Sequence, residues 1–74
     1  MKLVKIQWID SKAGANRWVY RDGLKPLKPV RCTSVGFVLE ETRTRITLVQ
    51  TKSKTQVCGR ITIPKACIIK RREL

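Results

Sequence analysis

The stretch Val57-Cys58-Gly59-Arg60-Ile61-Thr62-Ile63-Pro64-Lys65-Ala66-Cys67-Ile68-Ile69-Lys70 decides the fold. Val57, Gly59, Ile61 and Ile63 alternate with Cys58, Arg60 and Thr62, the period of two expected of a strand. Pro64 has no N–H to give to a ladder and stops it. Residues 64–67 match the length of one short helical turn, after which residues 68–70 can form a last strand.

Toward the N-terminus the same alternation recurs. Ile46, Leu48 and Gln50 alternate with Thr47 and Val49, bounded by turns at residues 40–43 and 51–54. Thr33, Val35, Phe37 and Leu39 alternate with Ser34, Gly36 and Val38, with Gly36 placed to permit a bend or a close backbone approach. The prolines of Lys25-Pro26-Leu27-Lys28-Pro29 remove two donors and hold the chain near polyproline II, so this is a stiff connector. Residues 17–21 read as a short strand before the Asp22-Gly23 turn, and residues 10–16 as a loop. In residues 3–9, Val4, Ile6 and Trp8 point one way and Lys5 and Gln7 the other. No segment sustains a helical period. The expectation is one all-β domain over residues 1–74: a small SH3-like or Sm-like barrel of five or six short antiparallel strands, with one short helical turn near Pro64.

Seventy-four residues lie near the lower limit at which a hydrophobic core alone outweighs chain entropy. Self-association through an edge strand or shared face would add stability, so a homo-oligomer stays open. Seventeen Lys and Arg face five Asp and Glu, a formal charge of +12. So one-sided a field implies an anionic partner: nucleic acid, another polyanion, or an acidic protein surface. With no histidine and five scattered carboxylates, no catalytic residue is predicted and enzymatic activity is not expected. Glu40 and Glu41 are adjacent and would point to opposite faces of a strand. Cys32, Cys58 and Cys67 have neither metal-site spacing nor histidine partners, so no metal or cofactor is expected, and they read as reduced, mostly buried thiols of a cytoplasmic protein. No apolar run reaches membrane-spanning length.

Two resemblances add to this reading. Residues 59–68, a strand running into Ile63-Pro64, a single turn and a closing strand, resemble the end of an SH3-type barrel. Trp8 and Asp10, then Thr33-Ser34-Val35-Gly36-Phe37, Gln56-Val57-Cys58-Gly59, Ile63-Pro64-Lys65 and Cys67-Ile68 resemble a family of small uncharacterised bacteriophage proteins across residues 4–74. That resemblance implies a host-cell cytoplasmic setting and carries no activity to any residue. This chain departs from the family in being far more basic.

Arg17-Trp18-Val19-Tyr20-Arg21 is the most suggestive binding stretch, because aromatics beside guanidinium groups are what base stacking uses. The competing reading, favoured by residue type, buries Trp18 and Tyr20 in the core. Arg43, Arg45, Lys52 and Lys54 flank two successive turns and are expected to converge at one end of the barrel with Arg60, as an anion site; independent solvated charges are the alternative. Lys70, Arg71 and Arg72 read as a basic tail or a frayed terminus. Pro26-Leu27-Lys28-Pro29-Val30-Arg31 matches a P-x-x-P-x-R ligand for SH3 domains, but a rigid connector explains both prolines. The leading expectation is nucleic-acid binding through the phosphate backbone, with Trp18 or Tyr20 stacking on a base. The alternatives are a phage-encoded counter-defence inhibitor docking on an acidic surface of a host or defence protein, and a sponge for a phosphorylated nucleotide signal.

Overall fold

A computed structural model describes all residues 1–74. Five antiparallel strands form one sheet: β1 (Leu3–Asp10), β2 (Val30–Glu41), β3 (Arg45–Lys52), β4 (Val57–Pro64) and β5 (Ile68–Glu73), in the order β4-β3-β2-β1-β5. A single 3-10 turn, Lys65–Cys67, links the two edge strands and follows Pro64 as the sequence predicts. The all-β reading therefore stands. The sheet does not close, because β4 and β5 share no ladder. No helix is long and apolar enough to cross a membrane.

Directly opposed residues of an antiparallel pair share a face, so the register assigns the interior. Val4 faces Gly36, Ile6 faces Ser34 and Trp8 faces Cys32. Across the other pairings Val38 meets Leu48, and Ile46 meets Ile63. Val4, Ile6, Ile46, Leu48 and Ile63 form the buried core, with Trp8, Val38 and Ile68 packed against it. The inward row of β2 is thus the small and polar one, Ser34 and Gly36, while Val35 and Leu39 are exposed. Two contacts explain this choice. Ser34 Oγ accepts a hydrogen bond from the indole Nε1–H of Trp8 at 3.0 Å. A Cβ on Gly36 would stand 2.8 Å from the carbonyl oxygen of Val49 and 3.1 Å from Leu48 Cβ, so only glycine allows β2 and β3 to approach there.

The β2–β3 register shifts between Val38 and Glu40, and β1–β5 shifts between Gln7 and Trp8. Such irregularities bend a strand and raise its twist. Both hairpins of the β2-β3-β4 meander are tight. In residues 42–44, Thr42 N–H donates to the Arg45 carbonyl at 2.9 Å and Thr42 Oγ1 accepts from the N–H groups of Thr44 and Arg45. Ser53 and Gln56 exchange equivalent bonds in the next turn. Glu40 and Glu41 accordingly lie at the end of β2, before the turn expected around them.

The opposite end of β2 joins β1 through residues 11–29, which form no strand. The short strand expected at residues 17–21 is therefore absent. β1 and β2 pair without interruption from Leu3↔Phe37 to Asp10↔Val30, and β5 occupies the other side of β1. The intervening segment pairs with none of the five strands. This arm gives the chain its dimensions of 54 × 23 × 20 Å and a Cα radius of gyration of 16.2 Å. A compact chain of this length would have a radius of about 11 Å.

Candidate functional site

The arm carries the aromatic residues singled out from the sequence. Trp18 is 100% exposed and Tyr20 91% exposed, so neither belongs to the core, which corrects the favoured reading of these two side chains. Val19, Leu24 and Leu27 are exposed beside them. Lys12, Arg17, Arg21, Lys25 and Lys28 lie on the same segment as the aromatics, against the single carboxylate Asp22. The only hydrogen bond between backbone groups of the arm runs from Arg17 N–H to the Ala15 carbonyl, so most of its polar backbone faces water. Loops beyond about 12–15 residues without secondary structure are uncommon in small domains, and those that occur commonly serve binding. A fully exposed tryptophan presents the whole of its π-face to a partner, with guanidinium groups one residue from Trp18 and one from Tyr20 in sequence.

The strand-borne cations do not converge. Arg43 lies in the β2–β3 turn and Arg45 opens β3, whereas Lys52 ends β3 and Lys54 sits in the β3–β4 turn. Successive turns of a meander fall at opposite ends of the shared strand, here roughly 23 Å apart for seven residue steps. Arg45 is also engaged, its guanidinium donating to Glu40 Oε1 at 2.9 Å. Lys52 holds its ammonium 5.2 Å from the centroid of the Phe37 ring, a cation–π contact. Arg60 stands opposite Val49 on the β3–β4 ladder. There it lines a cleft of about 310 Å³ with Thr33, Ser34, Val35, Gln50 and Gly59, where β2 parts from β3.

Lys70, Arg71 and Arg72 are neither a tail nor frayed: all three lie in β5, paired with β1. Alternation sends them to two faces. Arg71, opposite Ile6, reaches Glu41 Oε2 at 2.8 Å, and Lys65 of the 3-10 turn reaches the same oxygen at 2.8 Å. These two cations, led by the Arg71 hydrogen bond, hold the Glu41 carboxyl down at about 2. Glu41 thus ties β2 to both β5 and the turn, across the side of the sheet that no ladder closes. Lys70 and Arg72 fall on the other face, opposite Gln7 and Lys5. Lys5 and Gln7 escaped the sequence reading because a lysine and a glutamine alternating with core residues look like ordinary solvated positions; only the β1–β5 register brings them beside β5.

The three thiols are free. Cys32 and Cys67 are half-buried and Cys58 is exposed, so none of the three is the buried thiol expected from the sequence. Comparison with protein-family models, with curated proteins and with solved structures finds no match to this chain.

Proposed function

We propose that this chain is a nucleic-acid-binding protein that holds the phosphate backbone with lysine and arginine and stacks unpaired bases on the arm. The observation that carries the reading is the complete exposure of Trp18, with Tyr20 nearly as exposed, on a segment with five cations and one carboxylate. An exposed tryptophan has no packing role in the isolated chain. Single-stranded nucleic acid offers both counterparts it lacks, a π-face at every base and a charge at every phosphate. The sheet serves as a rigid body that carries the arm. Its strand order, with a 3-10 turn between the edge strands and Glu41 of β2 pairing with that turn and with β5, supports an SH3-like barrel arrangement for that body.

The test is titration of labelled single-stranded and duplex oligonucleotides at about 50 and 200 mM salt, following anisotropy and tryptophan emission. Affinity for single strands should fall steeply with salt, by about 0.7 in log–log slope for each phosphate held. Quenching should occur in the wild type and be lost in Trp18→Ala, because Trp8 is packed against the core and hydrogen-bonded to Ser34. Trp18→Ala should weaken single-strand binding by roughly 5- to 150-fold, the equivalent of about 1–3 kcal/mol of stacking. Absence of binding at 50 mM salt, or a Trp18→Ala protein that binds as well as wild type, defeats the proposal.

A further inference from the structure

On the outer face of the β1–β5 ladder, we propose that Lys5, Lys70 and Arg72, assisted by Gln7, form a binding site for a phosphate group. The nucleic-acid reading supplies one source of that group, a phosphodiester of the backbone; a free phosphate or phosphomonoester is the other.

The register builds the site. Lys5 pairs directly with Arg72 and Gln7 with Lys70, on the face opposite Val4 and Ile6. Like charges directly opposed across an antiparallel pair destabilise a sheet, and here a third cation lies two residues from Arg72 along the same strand. Nothing on the chain compensates them. Of the three carboxylates on the sheet that form ion pairs, Glu40 is taken by Arg45, Glu41 by Lys65 and Arg71, and Glu73 by Lys2. Asp10 accepts from the Ser11 N–H, and Asp22 lies in the arm. Arg71, between Lys70 and Arg72 in sequence, is given a carboxylate on the other face, so the unpaired state of its neighbours is not a general property of β5.

Lys5, Gln7, Lys70 and Arg72 together line a recess of about 60 Å³ with no apolar side chain in its wall. Two ammonium groups, a guanidinium and a carboxamide converge there from adjacent strands. The set is rich in donors, and the Gln7 carbonyl is its only side-chain acceptor. It suits an oxyanion with several acceptor oxygens. The planar guanidinium can take two of them at once, and three cations around one recess suit a phosphate group, whose non-bridging oxygens each accept more than one hydrogen bond. All four residues sit on paired strands, so the ladder fixes their backbone positions before a ligand arrives.

The experiment compares wild type with Lys5→Gln/Arg72→Gln, a pair of changes that relieves repulsion and should leave the fold intact. Thermal unfolding is followed in sodium phosphate, sodium pyrophosphate and sodium chloride at matched ionic strength, and the salt slope of single-strand oligonucleotide binding is measured for both proteins. Phosphate or pyrophosphate should raise the wild-type midpoint above chloride and lose that advantage in the variant, while the oligonucleotide slope should become shallower by about 0.7 for each phosphate released from the site. A shallower slope without an effect of the free anions supports the site with the polymer as its source. A phosphate effect that depends on Lys5 and Arg72, in a protein that binds no oligonucleotide, supports the site and overturns the nucleic-acid reading. Oligonucleotide binding with an unchanged slope, and phosphate acting equally on both proteins or on neither, overturns the site and leaves the nucleic-acid reading standing.

Discussion

Removing the charge of Glu41 should reveal how much of this small fold is held by ion pairs across its open side. In Glu41→Gln the side chain keeps its size but loses the charge that Lys65 and Arg71 share at 2.8 Å each. The carboxyl titrates at about 2 in the folded protein against an ordinary value of 4.5. Taken at face value that shift would be about 3 kcal/mol, but the side chain is 31% exposed and its partners are similarly placed. Solvent screening reduces the contribution to about 1–2 kcal/mol, or roughly 4–16 °C in the unfolding midpoint of a domain this small. Because the folded value is depressed, the stabilisation is fully present above about pH 5 and fades as pH falls toward 2; by pH 3 more than half is gone. Urea unfolding of both proteins at pH 7, 5, 4 and 3 measures this directly. The wild-type advantage should shrink steadily below pH 5, while the variant carries no such dependence at this position. An advantage that stays constant with pH would show that the glutamine acts by packing and that the two ion pairs contribute nothing.

The glycines supply the remaining predictions. Gly36→Ala places a Cβ 2.8 Å from the Val49 backbone oxygen, which cannot swing aside, so it should cost about 1–3 kcal/mol and lower the urea midpoint without changing its slope. Gly59→Ala combines a φ of +75° with a Cβ 2.8 Å from the Gln50 amide oxygen, the far end of a flexible side chain. Its cost of about 1–2 kcal/mol should be relieved only in part by adding Gln50→Ala, since the backbone strain remains; full rescue would assign the whole effect to the contact.

The parts of the fold set by local chemistry were legible from the sequence, and those set by distant partners were not. Alternation identifies β1 to β4, and Pro64 marks the end of β4 because its missing N–H acts on its own strand. The β5 strand runs to Glu73 instead of ending at Lys70. Three consecutive cations look like a tail until Arg71 is seen to meet Glu41, thirty residues away. Residues 17–21 fail in the opposite direction. Their alternation of large and charged side chains is strand-like, but a strand needs a neighbour, and this segment pairs with none of the five strands. Of the predicted binding residues, Trp18 and Tyr20 reach the surface as a stacking role needs, whereas Arg45 and Arg71 are held by carboxylates and the two turn clusters lie at opposite ends of β3.

The distribution of the few carboxylates explains why these cations are not equivalent. Glu40 and Glu41 both occupy the end of β2, and Glu73 pairs with Lys2 near the far end of β5. Their hydrogen bonds draw the strand termini and the 3-10 turn together, so the cations they bind serve the fold. Of the rest, five lie in the arm with one carboxylate and three on the outer β1–β5 face with none facing the recess, while Arg31, Arg43, Lys52, Lys54 and Arg60 are spread over the remaining strands and turns. Unpaired cations held near one another raise the free energy of the isolated protein, and on the proposed nucleic-acid reading a bound polyanion would remove that cost. On that reading a polymer would do this more effectively than a small anion, because occupying one region would raise the local concentration of the next phosphate at the other. The excess of positive charge is therefore best understood by location. The cations paired with glutamate contribute to the sheet, and those without a partner are the ones the proposed binding would use.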